Sequence, residues 1–230
     1  LSQNEIDSLL EALSSGNVDI KAMTQESTEK QIKTYDFRRP DKFSKDQLRA
    51  IQMIHDAFAR QLTTTMSTMV RSMVSAEVAS VDQLAYDEFV RSLVQPTVIS
   101  ILEMYPFNGN AIIDINPNLV FSIIDRLLGG NGEFTGRSRE LTDIERTVIE
   151  RVIMRLLELL EDSWSTVVDV RFRFENMESN PFFVQICPGT DMVLLVILKL
   201  KVGDVEGMVS ICIPYFAMEP IMDNNESRER

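Results

Sequence analysis

Ser44-Lys45-Asp46-Gln47 and Thr142-Asp143-Ile144-Glu145 are two versions of one signal, 98 residues apart. In each, a hydroxyl residue stands three positions before Gln or Glu. Each side chain can then satisfy the other residue's orphan amide at a helix start. Behind the first box, Leu48, Ile51, Ile54, Phe58 and Leu62 share one helix face; behind the second, Ile144, Val148, Val152, Leu156 and Leu159 do. Each helix leads into β-rich sequence. In the first half this is Val98 to Tyr105, a turn at Asn108-Gly109, then Ala111 to Ile115. In the second it is Val193 to Val202, a turn at Gly203-Asp204, then Val205 to Ile213. Both hairpins end in a proline that opens a short amphipathic helix. Pro117 precedes Leu119, Ile123, Ile124 and Leu127; Pro214, 97 residues later, precedes Phe216, Met218 and Ile221.

Two independent landmarks therefore give one period. The chain duplicates a helix–strands–hairpin–helix unit over about 44–134 and 142–222. Each half has too little apolar surface to stand alone, so the halves are expected to share a central sheet with helices packed on it, an α/β/α arrangement. Val167 to Phe174 and Phe182 to Cys187 are expected as further strands of the second half, with counterparts near Glu77 to Val90.

Outside the repeat, residues 1–16 read as a separate short helix. Ser2 and Glu5 form another capping box, Leu1 and Ile6 a hydrophobic staple, and Gly16 a stop. Ile6, Leu9, Leu10 and Leu13 lie on one face. About eleven residues is marginal for a helix alone in water, so this segment calls for a groove. Residues 17–34, rich in Thr, Glu, Lys and Gln, read as a flexible linker. The middle domain is expected over 35–222, with a polar tail at 223–230.

Composition narrows the partners. The formal net charge of −12 over 230 residues argues against nucleic acid and for a protein partner. Cys187 and Cys212 lie inside apolar runs, far apart in sequence, and read as buried free thiols in a reducing compartment, with a disulfide as the unsupported alternative. The longest apolar run, Met192 to Leu198, is too short to span a bilayer, and no signal peptide is visible. The chain reads as soluble and cytoplasmic.

Catalytic equipment is thin. The single histidine, His55, sits beside the Ile51-Ile54-Phe58 stripe and reads as a packed residue. One histidine without a cysteine pair makes no metal site. No nucleophile–base set, Walker loop or dinucleotide fingerprint is present, and no cofactor is expected. The twelve methionines stand mostly at core spacing. One loop is different. Leu127-Leu128-Gly129-Gly130-Asn131-Gly132 places three glycines in four residues after a helix, where a helix stop needs one. The excess suggests close backbone approach by another chain, or a hinge.

Taken together, Ser2-Gln3-Asn4-Glu5-Ile6-Asp7-Ser8-Leu9-Leu10, Tyr35 to Ser44, His55-Asp56-Ala57-Phe58-Ala59-Arg60 and Gly129-Gly130-Asn131-Gly132 resemble, in colinear order, the FliM family of flagellar motor switch proteins. The resemblance implies a non-enzymatic component of the cytoplasmic rotor ring, on the inner membrane face at the flagellar basal body. It implies that Ser2, Gln3, Glu5, Ile6, Asp7, Leu9, Leu10 and Leu13 bind phosphorylated CheY. It implies that Gly129, Gly130, Asn131 and Gly132 form part of a FliG-binding surface, and that neighbouring copies stand side by side. A C-terminal domain that pairs with FliN is expected to follow near residue 230. The middle domain also resembles CheC-type phosphatases, which act on CheY through a Glu and an Asn three residues apart on each long helix. Neither Leu48 to His55 nor Ile144 to Glu150 contains that pair, so phosphatase activity is the rejected alternative.

Overall fold

The computed structural model describes residues 42–226, apart from 134, 135, 137 and 138, with side chains placed up to residue 220. The N-terminal helix, the linker and the last four residues lie outside this range.

Both long helices start where the capping boxes put them. Helix α1 (Lys45–Val70) is capped by Ser44 and Gln47, which bond reciprocally to one another's backbone N–H. Strand β1 (Val74–Ala85) follows, then the short helix α2 (Tyr86–Ser92), strands β2 (Val98–Tyr105) and β3 (Asn110–Ile115), and helix α3 (Pro117–Leu127). The second half runs α4 (Asp143–Trp164), β4 (Arg171–Glu178), a 3-10 turn (Pro181–Phe183), β5 (Met192–Val202), β6 (Val205–Pro214) and α5 (Tyr215–Glu226). Thr142 and Glu145 cap α4 in the same reciprocal way.

The six strands form one sheet in the order β1-β5-β6-β3-β2-β4, every neighbouring pair antiparallel. Exchanging each strand for its repeat partner (β1 for β4, β2 for β5, β3 for β6) reverses this order and returns the same sheet. The halves meet at β3 and β6, with Ile113 opposite Ile211. They are also interlocked. β1 of the first half pairs with β5 of the second, and β4 of the second pairs with β2 of the first. Each half therefore lends its outer strand to the other half's hairpin, which is the physical reason that neither half closes alone.

The sheet has two unequal covers. On one face α1, α3, α4 and α5 bury a large core that includes Phe58, Leu62, Ile113, Leu119, Leu160, Trp164, Val196 and Ile211. The alternation of β5 sends Leu194, Val196 and Leu198 into it and Val193 and Leu195 to the opposite face. There α2 and the segment after the 3-10 turn bury Tyr86, Phe89, Ile99, Ile112, Val184, Cys187 and Cys212. Both cysteines are buried free thiols.

Four expectations are corrected. Phe182 to Cys187 is not a strand. Asn180 Oδ1 accepts the Phe182 N–H at 3.0 Å, and Pro181 has no N–H, so the chain turns and leaves Phe182 and Phe183 exposed. Val167 belongs to the turn that follows α4, where the Val167 and Val168 N–H groups both bond to the Trp164 carbonyl; β4 starts only at Arg171. The first-half counterpart stops being a strand at Ala85, where Tyr86 N–H and Asp87 N–H turn to Asp191 O and Gly189 O and α2 begins. Ile144, in the first turn of α4, is 73% exposed, ahead of the contact with the sheet. The methionines divide: Met66, Met104, Met177 and Met218 are buried, whereas Met53, Met73, Met154 and Met208 are exposed.

Candidate functional site

The glycine loop leaves the C-terminal end of α3. This amphipathic helix buries Leu119, Val120, Ile123 and Ile124, and its last turn ends in Asp125, Arg126 and Leu127. Gly129 takes a left-handed conformation (φ +96°) and donates its N–H to Arg126 O at 3.1 Å, an ordinary helix stop. The next bonds are less ordinary. Gly130 N–H reaches Asp125 O at 2.8 Å, and Gly132 N–H reaches Asp125 Oδ2 at 2.7 Å, with Gly132 at φ +78°.

The excess of glycine has an internal cause. A Cβ on Gly130 would lie 2.2 Å from Asp125 Oδ2, and one on Gly132 would lie 2.3 Å from Arg126 Nε. The loop is folded directly over these two side chains, so close approach by the chain's own last helical turn accounts for two of the three glycines. The outside of the loop is open. Gly129, Gly130 and Asn131 are exposed, Leu128 is 66% exposed, and a Cβ on Gly129 would meet nothing within 4 Å. Asp125 and Arg126 were not singled out by the sequence; the available signal was a charged pair immediately before a glycine cluster.

Arg126 also reaches the β5–β6 turn. A Cβ on Gly203 would lie 2.7 Å from Arg126 Nη2 and 3.4 Å from Ser72 Oγ, just past the end of α1. Beyond the loop, Arg139 pairs with Glu145 at 2.7 Å and lies over the Phe121 ring, 4.7 Å from its centroid. The Arg139 hydrogen bond is the main reason that the Glu145 carboxyl is held down to about 2. This pairing ties the returning chain to the cap of α4.

Among the described residues no catalytic constellation accompanies the loop. His55 is fully buried, its Nδ1 2.9 Å from Ile51 O and its ring edge-on to Trp164. Burial pushes its pKa down to about 4. Among the described residues no group of three or more His, Cys, Asp or Glu could hold a metal ion, and no helix is long and apolar enough to cross a membrane. Ser2, Gln3, Glu5, Ile6, Asp7, Leu9, Leu10 and Leu13 lie outside the described residues.

A family model described as "Flagellar motor switch protein FliM" matches residues 44–229. The chain belongs to the FliM family. A FliM of Treponema pallidum is 49% identical over 228 residues, which cover 99% of this chain and 66% of that protein. A FliM of Borreliella burgdorferi is 46% identical over 99% of this chain and 67% of its own length. The chain thus spans about two thirds of the FliM relatives that it matches. In structure it resembles a chain of the FliG–FliM complex from H. pylori, with TM-score 0.77 and 36% identity over 79% of this chain and all of that one. The FliM middle domain from H. pylori gives 0.73 and 35% over 79% and 99%. The described fold is therefore that of FliM middle domains. Relatives named as motor switch proteins do not favour the phosphatase alternative, and the long helices lack its Glu–Asn pair.

Proposed function

We propose that the chain is a non-enzymatic component of the flagellar motor switch that docks FliG through Gly129, Gly130, Asn131 and Gly132, and takes its signal from phosphorylated CheY through residues 1–16. One observation carries the docking reading. The loop's inner side is filled by Asp125 and Arg126, while its outer side, with Leu128 and Asn131, is open. The H. pylori relative was crystallised with FliG, which supplies the partner.

The N-terminal reading rests on chemistry. Ile6, Leu9, Leu10 and Leu13 present the spacing with which a helix lies in a groove. Burying a large aliphatic side chain gives roughly 1.5–3 kcal/mol. Ordering the peptide consumes much of the roughly 6–12 kcal/mol that four such side chains give, so the capture is weak and reversible. Ser2 and Gln3 belong to the cap, and Glu5, Asp7 and Glu11 offer negative charge to a basic groove. The linker at 17–34 keeps the captured regulator close to the ring. FliN and neighbouring copies of the same protein are the further partners, and the inner membrane face at the basal body is the location, under this reading.

A pull-down with FliG and with phosphorylated CheY, using the chain with and without residues 1–16, tests it. Loss of CheY alone on truncation is expected. Loss of FliG on truncation, or retention of CheY without residues 1–16, contradicts it.

A further inference from the structure

We infer that Asp125 is the positioning residue of the glycine loop: it holds the loop backbone in the shape that presents Asn131 and Leu128 outward, and it does so without touching the partner. This rests on the reading of the loop as the FliG-docking site. Three observations converge on it. The carboxylate accepts the Gly132 N–H at 2.7 Å from inside the loop, a charge-assisted bond. The Asp125 carbonyl accepts the Gly130 N–H at 2.8 Å, so one residue fixes both ends of the Gly130–Gly132 span. The carboxyl also occupies the volume that a Cβ on Gly130 would need, at 2.2 Å from Oδ2.

Arg126 completes the support. Its Nε is buried and has no hydrogen-bond partner among the described residues, and its guanidinium lies between Gly132 and Gly203. It acts as a packing wedge that ties the loop floor to the β5–β6 turn. The glycines, on this account, serve the loop's internal fit. The partner reads the surface that this fit produces. A loop ordered before the encounter pays no ordering entropy on binding, which is how a residue that makes no contact controls affinity.

The test is titration of FliG against the full chain and four variants, with unfolding followed in parallel. Asp125→Ala is expected to weaken binding about tenfold, the equivalent of ~1.4 kcal/mol. Asp125→Asn, which keeps an acceptor oxygen, is expected to restore affinity to within about threefold of the parent. Gly130→Ala, which displaces the same carboxylate from the other side, reproduces the loss with Asp125 intact. Exchange of the Gly132 amide with solvent is faster in Asp125→Ala and normal in Asp125→Asn. Asn131→Trp, on the outer surface, loses binding with the fold unchanged. Parent affinity in both Asp125→Ala and Gly130→Ala, with loss in Asn131→Trp, overturns the positioning role and leaves the docking reading standing. Parent affinity in Asn131→Trp overturns the docking reading and this inference with it. If Asp125→Ala does not unfold cooperatively, Gly130→Ala decides alone.

Discussion

His55 and Asp114 are two ionisable side chains held inside this fold, and they pull stability in opposite directions over one pH range. His55 is buried between α1 and Trp164, and loss of solvation lowers its pKa to about 4. The unfolded chain takes up a proton that the folded chain refuses, so this contribution is intact above the ordinary histidine value and is lost as pH falls towards 4. Between about pH 7.5 and 5.5 it costs roughly 1.4 kcal/mol. Urea unfolding at the two pH values is expected to show parent stability falling relative to that of His55→Leu by about this amount, because the opposing Asp114 contribution is common to both proteins and cancels in the difference. Asp114, between Ile99 and Ser210 in the middle of the sheet, is raised to about 6 by burial, against the hydrogen bond from Thr97 Oγ1 at 2.5 Å. Here the folded state holds the proton more tightly, so stability falls as pH rises through the range from 3.8 to about 6. Asp114→Asn, which keeps an oxygen for Thr97, is expected to stabilise the protein near neutral pH by up to about 3 kcal/mol, and by progressively less in acid. An unchanged or lowered neutral-pH stability contradicts this. The histidine's burial was legible from its place on the Ile51-Ile54-Phe58 stripe. The aspartate's was not, because one polar residue inside an apolar strand carries no mark of the threonine that meets it.

At the scale of elements, the helices were legible because their signals are local. Both capping boxes form as read, and α3 starts at Pro117 with Asn116 capping it. Thr142→Ala is expected to cost about 1 kcal/mol, as caps do. The same substitution at Ser44 is expected to cost less, because Thr142 shares Glu145 with Arg139 and Ser44 has no such third member. Urea midpoints of the two variants check this; a larger loss at Ser44 contradicts it. The misread segments failed for a shared reason. Phe182 to Cys187 and Val167-Val168 are apolar enough for strands, but side-chain and helix-end hydrogen bonds claim amides in them first, while Arg171 to Phe174 pairs in β4 as expected. The glycine loop shows the other limit. Its position was visible in the sequence, whereas the occupants of its inner side, Asp125 and Arg126, became visible only when the helix end and the loop were folded together.

For the whole molecule, duplication explains the architecture, and the glycine loop is where the two halves depart from it. The two halves exchange their outer strands, so the six strands form one continuous sheet. The period of about 97 residues was plain in the sequence, but the strand exchange was not, because register between distant strands is set by packing. The repeat is not reproduced at the glycine loop. α3 is followed by Gly129-Gly130-Asn131-Gly132, while its counterpart α5 runs on through Pro220 to Glu226. One half of a near-symmetric domain thus carries the glycine loop, the docking site under the proposal, and the other half lacks it. The account is tested most directly by amide hydrogen exchange of the full chain, with and without FliG. Protection centred on residues 128–132 is the predicted result. Protection elsewhere, with those amides exchanging as they do in the free chain, would contradict it.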